Sequence, residues 1–422
     1  MIKTAILFPG QGSQYVGMGS DLYQRSSIAR QTFEEANDVL GFDIKRLCFE
    51  GNKDELTETQ NAQPAILTVS IAAFRTYMQE IGLEPSCLAG HSLGEISALV
   101  ASDAISFSDG LKLVRKRGEL MKEAGVKAPG TMAAVSGVSQ EALMEMCKKA
   151  SQDGKIVVLS NINSKDQIVI SGHKENVEKA CDLLVGEGGT ATFLKVSAAF
   201  HSPLMNPAAS DFSEELVKYN YNQMKRTVIS NVTALPYESE KEIVNKLKLQ
   251  IISPVMWKQS MEYLRDKGVE VAVEMQPKTV LKNLMRKNAP EIKTYSFDRN
   301  ADVQSLKEFI SVMNKEKNNK TSNKTNVVDR CLAIAVCTRN YNWNDEEYTA
   351  GVINPYRQIK SMREKIESEN REPTYDEMIS ALNMLKSVFK TKKVPEIEQK
   401  ERFEQIFNET GTAELFIDFS IL

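Results

Sequence analysis

A chain of 422 residues, 42% hydrophobic and 26% charged, has the make-up of a folded globular protein long enough for two or three domains. Its net charge of -3 gives no reason to expect a nucleic acid or an anionic membrane as partner, and no stretch stays apolar for the length of a membrane span. Six scattered cysteines form no CxxC pair and read as small buried hydrophobes in a reduced compartment, while three histidines are too few for a histidine-rich metal site.

In chain order, residues 3–8 read as a buried strand. The run is too short for a signal peptide and lacks a small-residue cleavage site, so the expected compartment is the cytoplasm. The Gly-rich turn Pro9-Gly10-Gln11-Gly12-Ser13-Gln14 follows. Ala65, Leu67, Val69, Ile71 and Phe74 mark a helix expected to start near Pro64, a residue suited to a first helical turn. Cys87-Leu88-Ala89 is a short apolar strand that runs into Gly90-His91-Ser92-Leu93-Gly94 and a helix beginning near Glu95. Strand, tight turn and helix in repetition describe a parallel α/β domain.

Between about residues 130 and 195 the pattern changes. Thr131–Val135, Ile168–Gly172 and Ala191–Leu194 read as strands, with helices over Gln140–Ala150 and Lys174–Val185. That order in so short a span predicts a ferredoxin-like insertion. The larger domain resumes with Ile229-Ser230-Asn231 and Val271–Glu274.

Lys315 to Asn326 is almost free of apolar residues and reads as a polar linker. Beyond it, Asp329–Cys337 is apolar enough for a buried strand docked on the main body. Ile359, Met362 and Ile366 mark one amphipathic helix. Thr374-Tyr375-Asp376-Glu377 is a capping box before a second, with Met378, Leu382, Leu385 and Phe389 on one face. Ile397, Phe403, Ile406 and Phe407 mark a third.

The string Gly-x-Ser-x-Gly between a strand and a helix is the pattern of a nucleophile elbow. Ser92 then sits at a helix N-terminus, where free N–H groups favour developing negative charge. A Gly-rich loop with an incidental serine would give the same letters. A serine nucleophile needs a base within hydrogen-bond reach. His91 is adjacent and points elsewhere at such a turn, and His173 reads as a surface residue of the insertion. His201, in Ala199-Phe200-His201-Ser202-Pro203-Leu204-Met205, is the candidate left. No acidic third member is evident from spacing.

Phe8-Pro9-Gly10-Gln11-Gly12-Ser13-Gln14, Gln63-Pro64-Ala65, Gly90-His91-Ser92-Leu93-Gly94-Glu95 and Phe200-His201-Ser202-Pro203-Leu204-Met205 occur in that order. Together they closely resemble the malonyl-CoA:acyl carrier protein transacylases of fatty-acid and polyketide synthesis, over residues 1 to about 310. The resemblance implies that Ser92 forms an acyl-enzyme ester and that His201 is its general base. It implies that a backbone carbonyl orients this histidine, supplied by Gln250. It also implies that the N–H groups of Gln11 and Leu93 form the oxyanion hole, and that Gln63 braces the elbow.

Arg117 is the implied holder of the malonyl carboxylate, since a guanidinium fork matches a planar anion. Its neighbours Arg115 and Lys116 read as an exposed helix face. Leu93 and Phe200 resemble the malonyl-selecting forms. The implied substrate is malonyl-CoA, with no bound cofactor and no metal, and the implied partner is an acyl carrier protein or a polyketide synthase carrier domain. Hydrolysis of the acyl group on the same scaffold is the alternative; relatives that act as hydrolases lack the arginine.

The expected fold is α/β. Residues 1–128 and 197–312 form an α/β-hydrolase-like large subdomain with a parallel sheet, and residues 129–196 a ferredoxin-like small one. Residues 313–326 are a linker, and 327–422 a mainly helical C-terminal extension to which the resemblance assigns no role. A docking module for a carrier protein or synthase is the expectation for it.

Overall fold

The apolar run after Lys3 forms β1 (Thr4–Phe8), buried at every position, as a strand must be when both faces of its sheet are covered. It lies in a computed structural model that describes residues 2–152, 154–196, 198–322, 326–369, 371–417 and 419. The other strands are β2 (Cys87–Gly90), β3 (Thr131–Ser136), β4 (Val157–Ser164), β5 (Gln167–Gly172), β6 (Thr190–Phe193), β7 (Thr227–Ile229), β8 (Val271–Glu274) and β9 (Lys293–Ser296).

The large sheet has the order β7-β2-β1-β8-β9, and every adjacent pair is parallel. Its register sets Phe8 opposite Gly90 and Leu7 opposite Glu274. The loops leaving β1 and β2 therefore emerge side by side at the C-terminal edge of the sheet, where open α/β sheets bind their ligands.

One helix packed on this sheet begins earlier than its proline suggests. It spans Thr59–Glu80 with Pro64 inside it. Proline there removes the N–H that would bond to the carbonyl of Gln60. That oxygen instead accepts from Arg115 Nη1 at 3.0 Å, and the same nitrogen reaches Asn61 Oδ1 at 2.6 Å. Arg115 is thus a helix-repairing residue rather than a solvated face.

The small sheet, β4-β5-β3-β6, is antiparallel throughout. With helices Gln140–Ala150 and Lys174–Gly186 it gives the βαββαβ order of a ferredoxin-like unit. β4 is the small-sheet strand that sequence reading lacks, as it lacks β9 at the edge of the large sheet. Its Ser160, Asn161, Asn163 and Ser164 break the apolar alternation, yet all four are buried. Ser160 Oγ donates to Val169 O and Ser164 Oγ accepts from Asp166 N within the small subdomain. Asn163 reaches the large one, its Oδ1 at His91 Nε2 and its main-chain oxygen accepting from Asn288 Nδ2. The strand's main chain also joins the large subdomain, where Val255 N donates to Ser160 O and Ile162 N to Val255 O, both at 2.9 Å.

The chain divides into two compact units, Met1–Lys307 and Glu308–Leu422, with the division inside the helix Asn300–Ser322. The polar segment expected as a linker is therefore helical through Ser322, in keeping with the helix propensity of its Lys and Glu residues, while 323–325 lie outside the described residues. The expected strand over 329–337 is a helix, Val327–Cys337, capped by Asn326, whose side chain accepts from Asp329 N at 3.0 Å. A short apolar run fits either element by periodicity alone. Here Val328, Cys331, Leu332 and Ala335 bury one helical face in the extension's own core, with Leu385, Phe389 and Phe403. Buried Lys392 donates to Ala335 O and Thr338 O, closing the end of that helix. The remaining long helices are Asn354–Ser368, Tyr375–Lys392 and Glu396–Thr410, and the second carries the expected Thr374–Glu377 capping box.

Candidate active site

At the end of β2 the chain reverses within one residue and enters the helix Leu93–Ala101. Ser92 takes φ 53° and ψ -107°, a left-handed backbone that an L-residue adopts only under constraint. The constraint is contact. A Cβ on Gly90 would lie 1.9 Å from the Gly94 carbonyl carbon, and one on Gly94 would lie 2.1 Å from Phe8 O. Only glycine permits the strand, turn and helix to approach this closely.

Asn231, just beyond β7, locks the turn. Its Oδ1 accepts from Ser92 N and its Nδ2 donates to Gly90 O, both at 2.7 Å. Sequence reading passed over Asn231; the available signal was a polar residue at the end of an apolar strand.

Ser92 Oγ lies 2.8 Å from His201 Nε2. His201 Nδ1 lies 2.7 Å from the main-chain oxygen of Gln250, so Nδ1 carries the hydrogen and Nε2 presents its lone pair to the serine. Burial, reinforced by the nearby Arg117 charge, pushes the His201 pKa down to about 3. The other histidines are occupied elsewhere. His91 Nε2 meets Asn163 Oδ1 at 2.8 Å and its ring packs by Trp257, while His173 Nδ1 accepts from Ile156 N within the small subdomain.

Arg117, 1% exposed, projects from the helix Phe107–Lys127 toward the serine. Nη2 donates to Ser92 Oγ at 3.1 Å and to Gln250 Oε1 at 2.9 Å, and Nη1 donates to Gln63 Oε1 at 2.9 Å. Gln63 thus reaches the arginine rather than the elbow backbone. Nε has no partner, and among the described residues Arg117 has no ion pair. Arg117 is thus a buried cation with donors to spare, which an incoming anion can meet. Burial lowers its pKa to about 10, which still leaves it charged at neutral pH.

Gln250 joins the remaining groups. Its Nε2 donates to Ser92 O at 3.0 Å and to Glu95 Oε2 at 2.6 Å. Glu95, buried in the first turn of the elbow helix, also accepts from Asn231 N and from Tyr237 OH. Glu95 and Tyr237 are further members of the site without a signal in residue spacing, because they meet across 142 positions of chain.

Above the serine opens a cleft of about 850 Å³. Gln11, Phe200 and His201 line it on the large-subdomain side, and Met132, Ala134 and Val169 on the small-sheet side. The backbone N–H groups of Gln11 and Leu93 have no hydrogen-bond partner among the described residues. Gln11 holds its loop by donating from Nε2 to Thr59 Oγ1. Among the described residues no group of three or more His, Cys, Asp or Glu side chains could hold a metal ion, and no helix is long and apolar enough to cross a membrane.

A strained serine bonded to a neutral histidine, at the C-terminal edge of a parallel sheet and beside an unsatisfied arginine, defines an acyl-transfer class of site. Comparison with known proteins agrees. Residues 6–331 match the acyl transferase domain family. A malonyl CoA-acyl carrier protein transacylase of Bacillus subtilis is 38% identical over 400 residues, covering 94% of this chain and 99% of the relative. A second, from Bacillus subtilis strain 168, is 42% identical over 320 residues, covering 76% of this chain and 100% of the relative. Among solved structures, a malonyl-transacylase in complex with a type II PKS acyl-carrier protein superposes with a TM-score of 0.70 at 37% identity, covering 72% of this chain and 98% of that one. The chain belongs to the acyl transferase domain family and, within it, to the malonyl CoA-acyl carrier protein transacylases. The 400-residue match takes in most of the C-terminal extension, whereas the 320-residue match leaves about a quarter of this chain unpaired.

Proposed function

We propose that the protein moves malonyl from malonyl-CoA to the phosphopantetheine thiol of an acyl carrier protein through an ester on Ser92. The observation that carries this reading is the position of Ser92 Oγ, between His201 Nε2 at 2.8 Å and Arg117 Nη2 at 3.1 Å. Arg117 takes the malonyl carboxylate with its open donors and in doing so sets the thioester carbon over the serine. Ser92 Oγ gives its proton to His201 Nε2 and bonds to that carbon. The oxyanion is received by the N–H groups of Gln11 and Leu93, preorganised donors of a kind worth about 3–4 kcal/mol in a transition state.

Collapse breaks the carbon–sulfur bond, and the CoA sulfur leaves with the proton held by His201. In the second half the carrier thiol gives its proton to His201, its sulfur attacks the ester, and Ser92 Oγ recovers a proton as it leaves. The relative solved with a type II PKS carrier protein supports a carrier as acceptor here. Fatty-acid or polyketide assembly is the setting we assign. We assign residues 1–128 and 197–312 to the large subdomain and 129–196 to the small one, and to residues 327–422 the role of a docking module for the carrier or synthase.

Incubation with malonyl-CoA and holo carrier protein, followed by product analysis, tests the reading. Malonyl-carrier is expected, and free malonate as the main product would overturn it. Comparing full-length and tail-deleted protein over a panel of carriers tests the docking role; identical rates and choices would end it.

A further inference from the structure

Arg117 poses an electrostatic problem. It is buried and charged, yet a carboxylate paired directly to it would occupy the fork that the substrate needs. We propose that Glu95 is the counter-charge of Arg117, held at one remove by the Gln250 side chain, and that it sets how strongly the site discriminates acyl groups with a carboxylate from those without. This rests on the role given to Arg117 above.

The geometry supports it at each joint. Gln250 Oε1 accepts from Arg117 Nη2 at 2.9 Å, and its Nε2 donates to Glu95 Oε2 at 2.6 Å. A guanidinium only donates and a carboxylate only accepts, so flipping the amide would create two repulsive contacts. The amide dipole is thus fixed between the two charges. Glu95 is 0% exposed, and its three hydrogen-bond contacts are all with donors: Gln250 Nε2, Asn231 N and Tyr237 OH. Nothing in that shell requires a proton on the carboxyl. Burial pushes the Glu95 pKa up, and Tyr237, Gln250, Asn231 and the Arg117 charge pull it back.

Gln250 also links this balance to the base, because its main-chain oxygen holds His201. The negative charge of Glu95 favours the imidazolium that forms during proton transfer, and it tempers the attraction of Arg117 for an anion. Glu95 touches no reacting atom. It is a positioning residue that acts through Gln250 and Arg117.

Glu95→Gln keeps the shape and can still meet all three donors, because the Tyr237 hydroxyl can turn to accept. The charge alone is lost. Acylation of the full-length protein by malonyl-CoA and by acetyl-CoA is then compared. For this variant kcat falls with both substrates and KM for malonyl-CoA falls. The malonyl-to-acetyl ratio of kcat/KM rises on the order of tenfold, as expected for removing one unit charge at moderate effective dielectric. An equal loss with both substrates and an unchanged ratio would mean that Glu95 only holds structure, and would overturn the proposal. Should Glu95→Gln fold poorly, thermal unfolding of Glu95→Gln, Arg117→Ala and the double variant decides the matter. A counter-charge requires the double variant to lose much less in Tm than the sum of the singles, and additive losses overturn it. Failure of the unaltered protein to take up malonyl would instead remove the reading of Arg117 itself.

Discussion

The Nδ1 hydrogen of His201 is directed at the main-chain oxygen of Gln250 over 2.7 Å, a neutral partner where serine hydrolases commonly place a carboxylate. A carbonyl fixes the tautomer and the ring plane as well as a carboxylate does, but lends less charge to the imidazolium. With Arg117 bonded to the same serine, the base stays neutral and weak until substrate arrives. In the proposed reaction such a base suits an activated thioester, and the substrate's carboxylate would offset the part of the depression that Arg117 adds to burial.

Replacing Arg117 with alanine removes the proposed carboxylate holder. Charge-assisted hydrogen bonds contribute about 1.5–3 kcal/mol each, so two of them predict a loss on the order of a hundredfold or more in kcat/KM for malonyl-CoA. Acetyl-CoA should suffer much less. An unchanged preference between the two would place the carboxylate elsewhere.

The depressed histidine has a pH signature. An ordinary histidine loses its base form below about pH 6.5. His201, held down to about 3 by burial and then by Arg117, stays neutral well below that. Stopped-flow acylation should therefore stay level from roughly pH 8 to pH 5. The linked stability runs the same way. The unfolded chain binds this proton near pH 6.5, the folded protein only near 3, so stability from His201 is full above about 6.5 and declines as pH falls between them. A rate that halves near pH 6.5 would contradict this.

Asn231 tests the elbow without touching the reacting groups. Asn231→Ala leaves the buried Ser92 N–H and Gly90 carbonyl without their side-chain partner. At about 1–3 kcal/mol for each of the two unsatisfied groups, urea unfolding should register a loss of about 2–6 kcal/mol. Acylation should slow in the same variant as the serine loses its strained backbone. Unaltered stability would mean that the glycine contacts alone hold the turn.

Much of this site was legible in the sequence because it lies in short local motifs. The elbow needs glycines at 90 and 94 for steric reasons that any strand-to-helix turn of this kind imposes, and the letters report it. Gln250 as the carbonyl donor came from family resemblance, and the geometry places its oxygen on His201. Asn231 and Tyr237 were not legible as site residues, because each meets the elbow over more than a hundred residues of chain, and the part played by Glu95, although it stands in the elbow motif, depends on those same distant partners. β4 was hidden by buried polar residues that break its apolar alternation, and 329–337 was misread as a strand because a short apolar run carries no period of its own. Pro64 misplaced a helix start because the arginine that compensates for it lies on another helix.

The most direct test of Ser92 as the acyl carrier is intact-protein mass after brief exposure to malonyl-CoA. The unaltered chain should gain one malonyl ester, mapped by peptide analysis to Ser92, and Ser92→Ala should gain none. A malonyl adduct retained by Ser92→Ala, or mapped to another residue of the unaltered protein, would contradict the account.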